Sequence, residues 1–177
     1  MADSVQEPSD SVEQHREAAT GRIVRCAVLT VSDTRTEETD EGGALIRQAL
    51  QDGGHRVVAA DLVPDDPARI RPCLEAWLAQ PEIEAIVLTG GTGVSRRDVT
   101  VEVVEGLLDQ PLPGFGELFR MLSWQQVGSA ALLSRATAGL AGDTFLFALP
   151  GSVKAVRLAL EQLILPELRH LVEQRRG

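Results

Sequence analysis

The chain has 177 residues, 44% of them hydrophobic and 24% charged, and carries a formal net charge of −9. That size and apolar share suffice for one domain with a buried core and exclude fibrous classes; the acidic balance argues against a nucleic-acid partner, which calls for a basic face. No apolar run approaches the ~18–20 residues of a membrane span and no signal-peptide centre follows the N-terminus, so a cytoplasmic protein without membrane contact is expected.

Asp3, Glu7, Asp10, Glu13 and Glu17 face only Arg16 in residues 1–20, a net charge of −4 in a stretch with few apolar residues. Such a composition predicts a disordered acidic tail, followed by a single domain over residues 21–177 that carries −5. Ile23, Val24, Cys26, Ala27, Val28, Leu29 and Val31 predict a first strand, apolar enough to be central, closed by Ser32-Asp33-Thr34. Leu45, Ile46, Ala49 and Leu50 recur at helical spacing until Gly53-Gly54. Residues 55–63 predict a second strand with His55 in a structural role. Pro64-Asp65-Asp66-Pro67 then opens a helix that buries Ile70, Leu74, Trp77 and Leu78.

Residues 84–102 (EAIVLTGGTGVSRRDVTVE) end a buried strand abruptly in glycines and then in a carboxylate. Thr89, Gly90, Gly91, Thr92 and Gly93 supply small residues where the chain must turn and expose backbone N–H groups, an arrangement suited to an anion. Phosphate on the turn, with a divalent ion held by Asp98, is the functional reading; an αβ connection whose glycines only satisfy positive φ is the bland one. No P-loop lysine follows, and Arg96 stands where a dinucleotide fingerprint needs its last glycine. Beyond, Val103, Val104, Leu107 and Leu108 predict a helix ending within residues 109–114. Phe115, Leu118, Phe119 and Leu122 predict an amphipathic helix, with Trp124 packing nearby. Residues 136–141 and 144–149 predict two strands joined by a Gly142-Asp143 hairpin. Pro150-Gly151-Ser152 starts a helix, and Pro166 permits a last one.

Strands alternating with helices predict a three-layer α/β/α sandwich of Rossmann-like type around a mostly parallel sheet. Ligands bind such sheets beyond the carboxyl ends of the strands, which gathers Ser32-Asp33-Thr34, Pro64-Asp65-Asp66, the turn to Asp98, and residues 149–152. Neither Cys26 and Cys73 nor the histidines at 15, 55 and 170 suggest a metal knuckle, and no G-x-S-x-G surrounds Ser95.

The ordered motifs VSDTRT, VPDD, LTGGTGVSRRDVT, PGFGELFR, LSRATAG and LPGS resemble those of the MoaB/MogA family of molybdenum cofactor biosynthesis proteins, which includes the gephyrin G domain. The likeness runs from about Ile23 to Leu171, and the LTVSD opening and PELRHL ending look closer to MoaB than to MogA. It implies a molybdopterin adenylyltransferase, in which the terminal phosphate of molybdopterin attacks the α-phosphate of ATP with Mg2+ assisting. The family's two required carboxylates match Asp65 and Asp98. Ser134, Arg135 and Ser152, with Lys154 behind them, are the implied donors to pterin and phosphate, and Pro113, Gly114, Phe115, Glu117 and Arg120 the implied pocket wall. The bland alternatives are helix N-capping for Asp65, Asp98 and Ser152, turn-capping for Asp33, and a surface ion pair for Arg135.

Two positions depart from the family pattern: Asp40-Glu41-Gly42-Gly43 lacks the serine of Asp-x-Ser-Gly, and Thr100-Val101-Glu102 lacks the proline of Thr-Pro-Glu. Phosphate monoesters are largely dianionic at pH 7, so the chemistry needs charge neutralisation and alignment rather than a strong base. A non-catalytic molybdopterin carrier, or a CinA-like enzyme acting on nucleotide pyrophosphates, would use the same framework. The family resemblance also implies a homo-oligomer, trimeric or hexameric.

Overall fold

The computed structural model describes residues 21–176, so the tail expected over residues 1–20 lies outside the described residues. One six-stranded sheet has the order β2-β1-β3-β6-β5-β4, built from β1 (Arg25–Val31), β2 (Arg56–Val63), β3 (Ala85–Thr89), β4 (Gln110–Pro111), β5 (Thr137–Ala141) and β6 (Thr144–Leu149). The first three and β6 are parallel, while β5 runs antiparallel to β6 and to β4.

Alternate residues of the central strands feed two cores, as the period of a strand requires. Val24, Cys26, Val28, Ala85, Val87, Phe145 and Phe147 meet α1 (Glu41–Asp52), α4 (Pro113–Val127), and the run formed by α5 (Val153–Ala159), a π turn (Leu160–Ile164) and α6 (Leu165–Arg176). Ala27, Leu29, Val31, Ile86, Leu88, Leu146 and Ala148 meet α2 (Pro67–Leu78) and the short α3 (Thr100–Glu105). The expected three-layer sandwich with a mostly parallel sheet is therefore observed. Among the described residues no helix is long and apolar enough to cross a membrane.

Three details differ from expectation. The two-residue β4 falls where only a helix end was predicted; its pairing with Gly139 and Leu140 is a tertiary event that two residues including a proline do not announce. The buried stripe of α4 runs through Gly116, Phe119 and Ser123, leaving Leu118, Met121 and Trp124 at 47%, 55% and 60% exposure. The cause is Gly116, where a Cβ would stand 2.7 Å from the Ala136 carbonyl, so the helix rides on its glycine and rotates Leu118 and Trp124 outward. Pro166 lies in the first turn of the expected last helix, but that helix continues the preceding one without a break through the wider π turn.

His55 is buried and its Nδ1 accepts from the Val24 N–H at 3.3 Å. Burial, reinforced by Arg169, holds it down to about 4. Both cysteines sit in apolar surroundings, and burial pushes Cys26 up to about 12 and Cys73 up to about 11.

Candidate anion and metal site at the strand ends

The chain leaves β1 towards β2 on one side and returns to β3 on the other, opening a crevice at the carboxyl ends of β1 and β3. The turn after β3 closes it. Gly90 and Gly91 adopt φ of +99° and +63°, and a Cβ on Gly90 would stand 2.1 Å from the Val31 carbonyl, so only glycine lets the turn lie this close to β1. The Gly90 N–H donates to the Leu149 carbonyl at 3.1 Å and Thr89 Oγ1 to the Pro150 carbonyl at 3.1 Å, tying the turn to the end of β6.

Both predicted carboxylates stand against this turn. A Cβ on Gly91 would come within 2.2 Å of Asp65 Oδ1 and 2.3 Å of Thr100 Oγ1, and one on Gly93 within 2.7 Å of Asp98 Oδ2. Asp98 Oδ2 accepts from the Ser95 N–H at 2.7 Å. Neither aspartate caps a helix: Asp66 caps α2, with its side chain accepting from the Ala68 N–H, and α3 follows Val99 without a side-chain cap. Asp33 joins them, accepting from the Asp65 N–H at 3.0 Å and facing Arg97 at 3.6 Å. Burial, then the charges of Asp33 and Asp98, raise the Asp65 pKa, and Arg97 opposes the rise.

Buried Asp65 Oδ1 and Thr100 Oγ1 have no hydrogen-bond partner. An orphaned carboxylate oxygen in a locally negative pocket is costly unless a cation or donor arrives. Among the described residues no three side chains of His, Cys, Asp or Glu are close enough to cage a metal. The donor set instead fits Mg2+, which takes one or two carboxylates and completes its shell with phosphate oxygens and water.

The remaining predicted residues divide into three groups. Ser32, Thr89, Gly90 and Gly151 line a cavity of about 80 Å³ with Arg35 and Asp40, beside the start of α1. Ser32 Oγ accepts from the N–H groups of Thr34 and Arg35, and Ser152 caps α5 through the Ala155 N–H. Pro113, Glu117, Arg120, Ser134 and Arg135 line a cleft of about 530 Å³ between α4 and β5. Two residues of the predicted wall lie elsewhere: Phe115 packs its ring edge-on to Phe147, 5.5 Å away, because the apolar core competes for it, and Gly114 is exposed with no atom within 4 Å of a Cβ. Lys154 lies in a separate groove with Arg157 and Gln126.

Arg135 is turned towards the loop rather than into open space. Its Nε donates to the Thr92 and Gly93 carbonyls at 3.2 and 2.7 Å, and its Nη2 to the Asp98 carbonyl at 2.8 Å. Glu102 pairs with it, and that hydrogen bond holds the Glu102 carboxyl below its usual range. The sequence marks Asp40, Thr100 and Glu102 only as parts of segments that depart from the family pattern, and assigns them no role. Glu102 follows Asp98 by one helical turn, but its partner is 33 residues away. Buried Asp40 caps α1 through the Gly43 N–H and accepts from Thr30 Oγ1, each at 2.8 Å. In this chain the Asp40-Glu41-Gly42-Gly43 segment thus serves the helix start, and a Cβ on Gly43 would strike Asp40 at 2.1 Å.

Residues 27–170 match the family described as "Probable molybdopterin binding domain". The chain is 48% identical over 165 residues to Molybdenum cofactor biosynthesis protein B of Halalkalibacterium halodurans, covering 93% of this chain and 96% of the relative. A solved structure of a molybdenum cofactor biosynthesis protein B superposes with a TM-score of 0.85 at 46% identity, covering 88% of this chain and 97% of the other. The tungsten cofactor synthesizing protein MoaB of Pyrococcus furiosus superposes with a TM-score of 0.77 at 37% identity, covering 88% and 99%.

Proposed function

The chain belongs to the "Probable molybdopterin binding domain" family, and from that premise we propose that it acts in molybdenum cofactor biosynthesis as a molybdopterin adenylyltransferase. In this reading the terminal phosphate of molybdopterin attacks the α-phosphate of ATP, its oxygen forming the new P–O bond as the bond to pyrophosphate breaks. The observation that carries the reading is the convergence of Asp65 and Asp98 on the Gly91–Gly93 turn, one of them with an orphaned oxygen. Helix capping, the bland alternative for both, is taken by Asp66 and Val99.

Asp65 and Asp98 would hold Mg2+. When bound, the ion supplies charge neutralisation between two anionic reactants. The chain's own part is placement. The glycine turn offers backbone N–H groups to phosphate at the strand ends. Asp65 and Asp98 act as acceptors rather than as acids, since the attacking phosphate needs no proton removed. The 530 Å³ cleft, with Ser134 and Arg120 on its wall, has the size and mixed lining expected for the pterin.

The test is incubation of the full chain with molybdopterin, ATP and Mg2+, followed by detection of adenylylated pterin and pyrophosphate. Asp65→Asn and Asp98→Asn are expected to lower transfer at least ~100-fold while pterin binding persists. Full turnover in both variants would refute the assigned roles. Pterin binding by the wild type without ATP consumption would instead identify a carrier.

A further inference from the structure

We propose that Arg135 is a positioning residue for the Asp98 carboxylate, holding the Thr92–Asp98 loop at the strand ends through a clamp closed by Glu102; this rests on the metal role assigned above to Asp98. The hydrogen bonds inside the loop are local: Ser95 N–H to Asp98 Oδ2, Asp98 N–H to the Ser95 carbonyl, and Arg97 N–H to Ser95 Oγ. They shape the loop without fixing where it sits. Among the described residues, its longer-range ties are the exposed Arg97–Asp33 pair at 3.6 Å and the Arg135 guanidinium, with the Thr100 N–H to Gly91 carbonyl bond at the loop's base.

One planar group therefore holds both ends of the loop, reaching Thr92 and Gly93 on one side and Asp98 on the other. Glu102 sets the plane. It projects from the first turn of α3, which lacks a side-chain cap, so the same ion pair also fixes the helix that follows the carboxylate. A lysine cannot replace this arrangement, because an ammonium is a point charge without the fork that spans several acceptors. Arg135 also lines the cleft, so the group that places Asp98 borders the space assigned to the pterin. It reaches no ligand at the turn without releasing carbonyls it already serves.

The experiment compares Arg135→Lys and Glu102→Gln with the wild-type full chain. It reads the Mg2+ concentration giving half-maximal AMP transfer, KM for ATP, binding of Mn2+ alone by electron paramagnetic resonance, hydrogen exchange of the Ser95 and Asp98 amides, and thermal unfolding. Loss of a partner behind a metal ligand typically weakens metal binding by about 10- to 100-fold. Arg135→Lys is accordingly expected to raise half-saturating Mg2+ by about tenfold or more, with most of kcat restored by excess Mg2+. Its Ser95 and Asp98 amides should exchange faster while the global transition stays within a few degrees of wild type. Glu102→Gln, which keeps a neutral acceptor, is expected to show the same pattern more weakly.

A rate loss in Arg135→Lys with unchanged Mg2+ dependence and unchanged loop exchange would overturn the proposal. A rate loss proportional to the unfolded fraction would do the same. Should Arg135→Lys fail to fold, Glu102→Gln decides by the same readouts. Should the wild type transfer no AMP, the adenylyltransferase reading fails, while Mn2+ affinity and amide exchange still judge the clamp.

Discussion

Replacing Gly91 by alanine separates what the glycine turn does for folding from what it does for the site. Two effects are expected. The first is backbone strain, since φ of +63° in a residue with a Cβ costs about 1–2 kcal/mol. In a chain of this size that lowers the melting temperature by roughly 2–8 °C. The second is displacement. The new methyl would lie 2.2 Å from Asp65 Oδ1 and 2.3 Å from Thr100 Oγ1, so each oxygen must retreat by about 1 Å to reach contact distance. Misplacing a reacting or ligating group by about 1 Å costs on the order of 100-fold in rate. Gly142→Ala isolates the first effect, because Gly142 has φ of +59° and nothing within 4 Å of its Cβ. Thermal unfolding should show comparable losses in the two variants, whereas the Mg2+-dependent AMP-transfer assay should fall about 100-fold in Gly91→Ala alone. Transfer by Gly91→Ala within about threefold of Gly142→Ala would show that Asp65 does not work from where the structure places it.

Other consequences follow from the charges and surfaces. Asp33 helps to raise the Asp65 pKa, and protons compete with Mg2+ for that carboxylate, so activity should fail on acidification above the ordinary aspartate range; Asp33→Asn should move this acid limb to lower pH in a pH–rate profile, and an unmoved limb would count against Asp65 as a ligand. His55 at about 4 lies below its unfolded value of about 6.5, so the unfolded chain binds more protons between those values. Stability is then fully present above about 6.5 and is lost as pH falls towards 4, by up to about 3 kcal/mol; urea titrations of wild type and His55→Gln should show that slope shrinking in the variant. Leu118, Met121, Trp124, Val127, Leu132 and Leu133 are exposed on α4 and the 3₁₀ segment (Gly128–Leu133) that follows, an apolar surface of the kind that marks a subunit contact. Trp124→Asp should reduce the mass seen by light scattering from an oligomer to a monomer, and a monomeric wild type would refute that use of the surface.

The sheet was legible wherever its strands are continuously apolar. β1, β3 and β6 are buried on both faces and announce themselves by composition alone, and the Gly142-Asp143 hairpin follows from a two-residue turn signal. The glycine turn and Asp98 were likewise readable, because small residues and a carboxylate at a strand end are local features, whereas the choice of Asp65 over the adjacent Asp66 came from the family resemblance. What escaped depends on distant neighbours. The face of α4 was misjudged because an i, i+3, i+4, i+7 pattern does not reveal that Gly116 sets the contact with Ala136. Phe115 looked available to a ligand until Phe147 was seen to take it. Arg135 pairs with an acid, Glu102, as its bland reading has it, but its further engagement with Thr92, Gly93 and Asp98 spans about forty residues and has no local signature.

The antiparallel direction of β5 bears on how this site is assembled. In a wholly parallel sheet, residues that precede a strand sit at the far end of the molecule from those that follow one. Because Thr137 at the start of β5 lies opposite Ala148 near the end of β6, the segment entering β5 is delivered to the same rim as the segments leaving its neighbours. The register of that hairpin, from Thr137 opposite Ala148 to Ala141 opposite Thr144, therefore sets where along the rim the Arg135 guanidinium stands, although its turn lies at the opposite end.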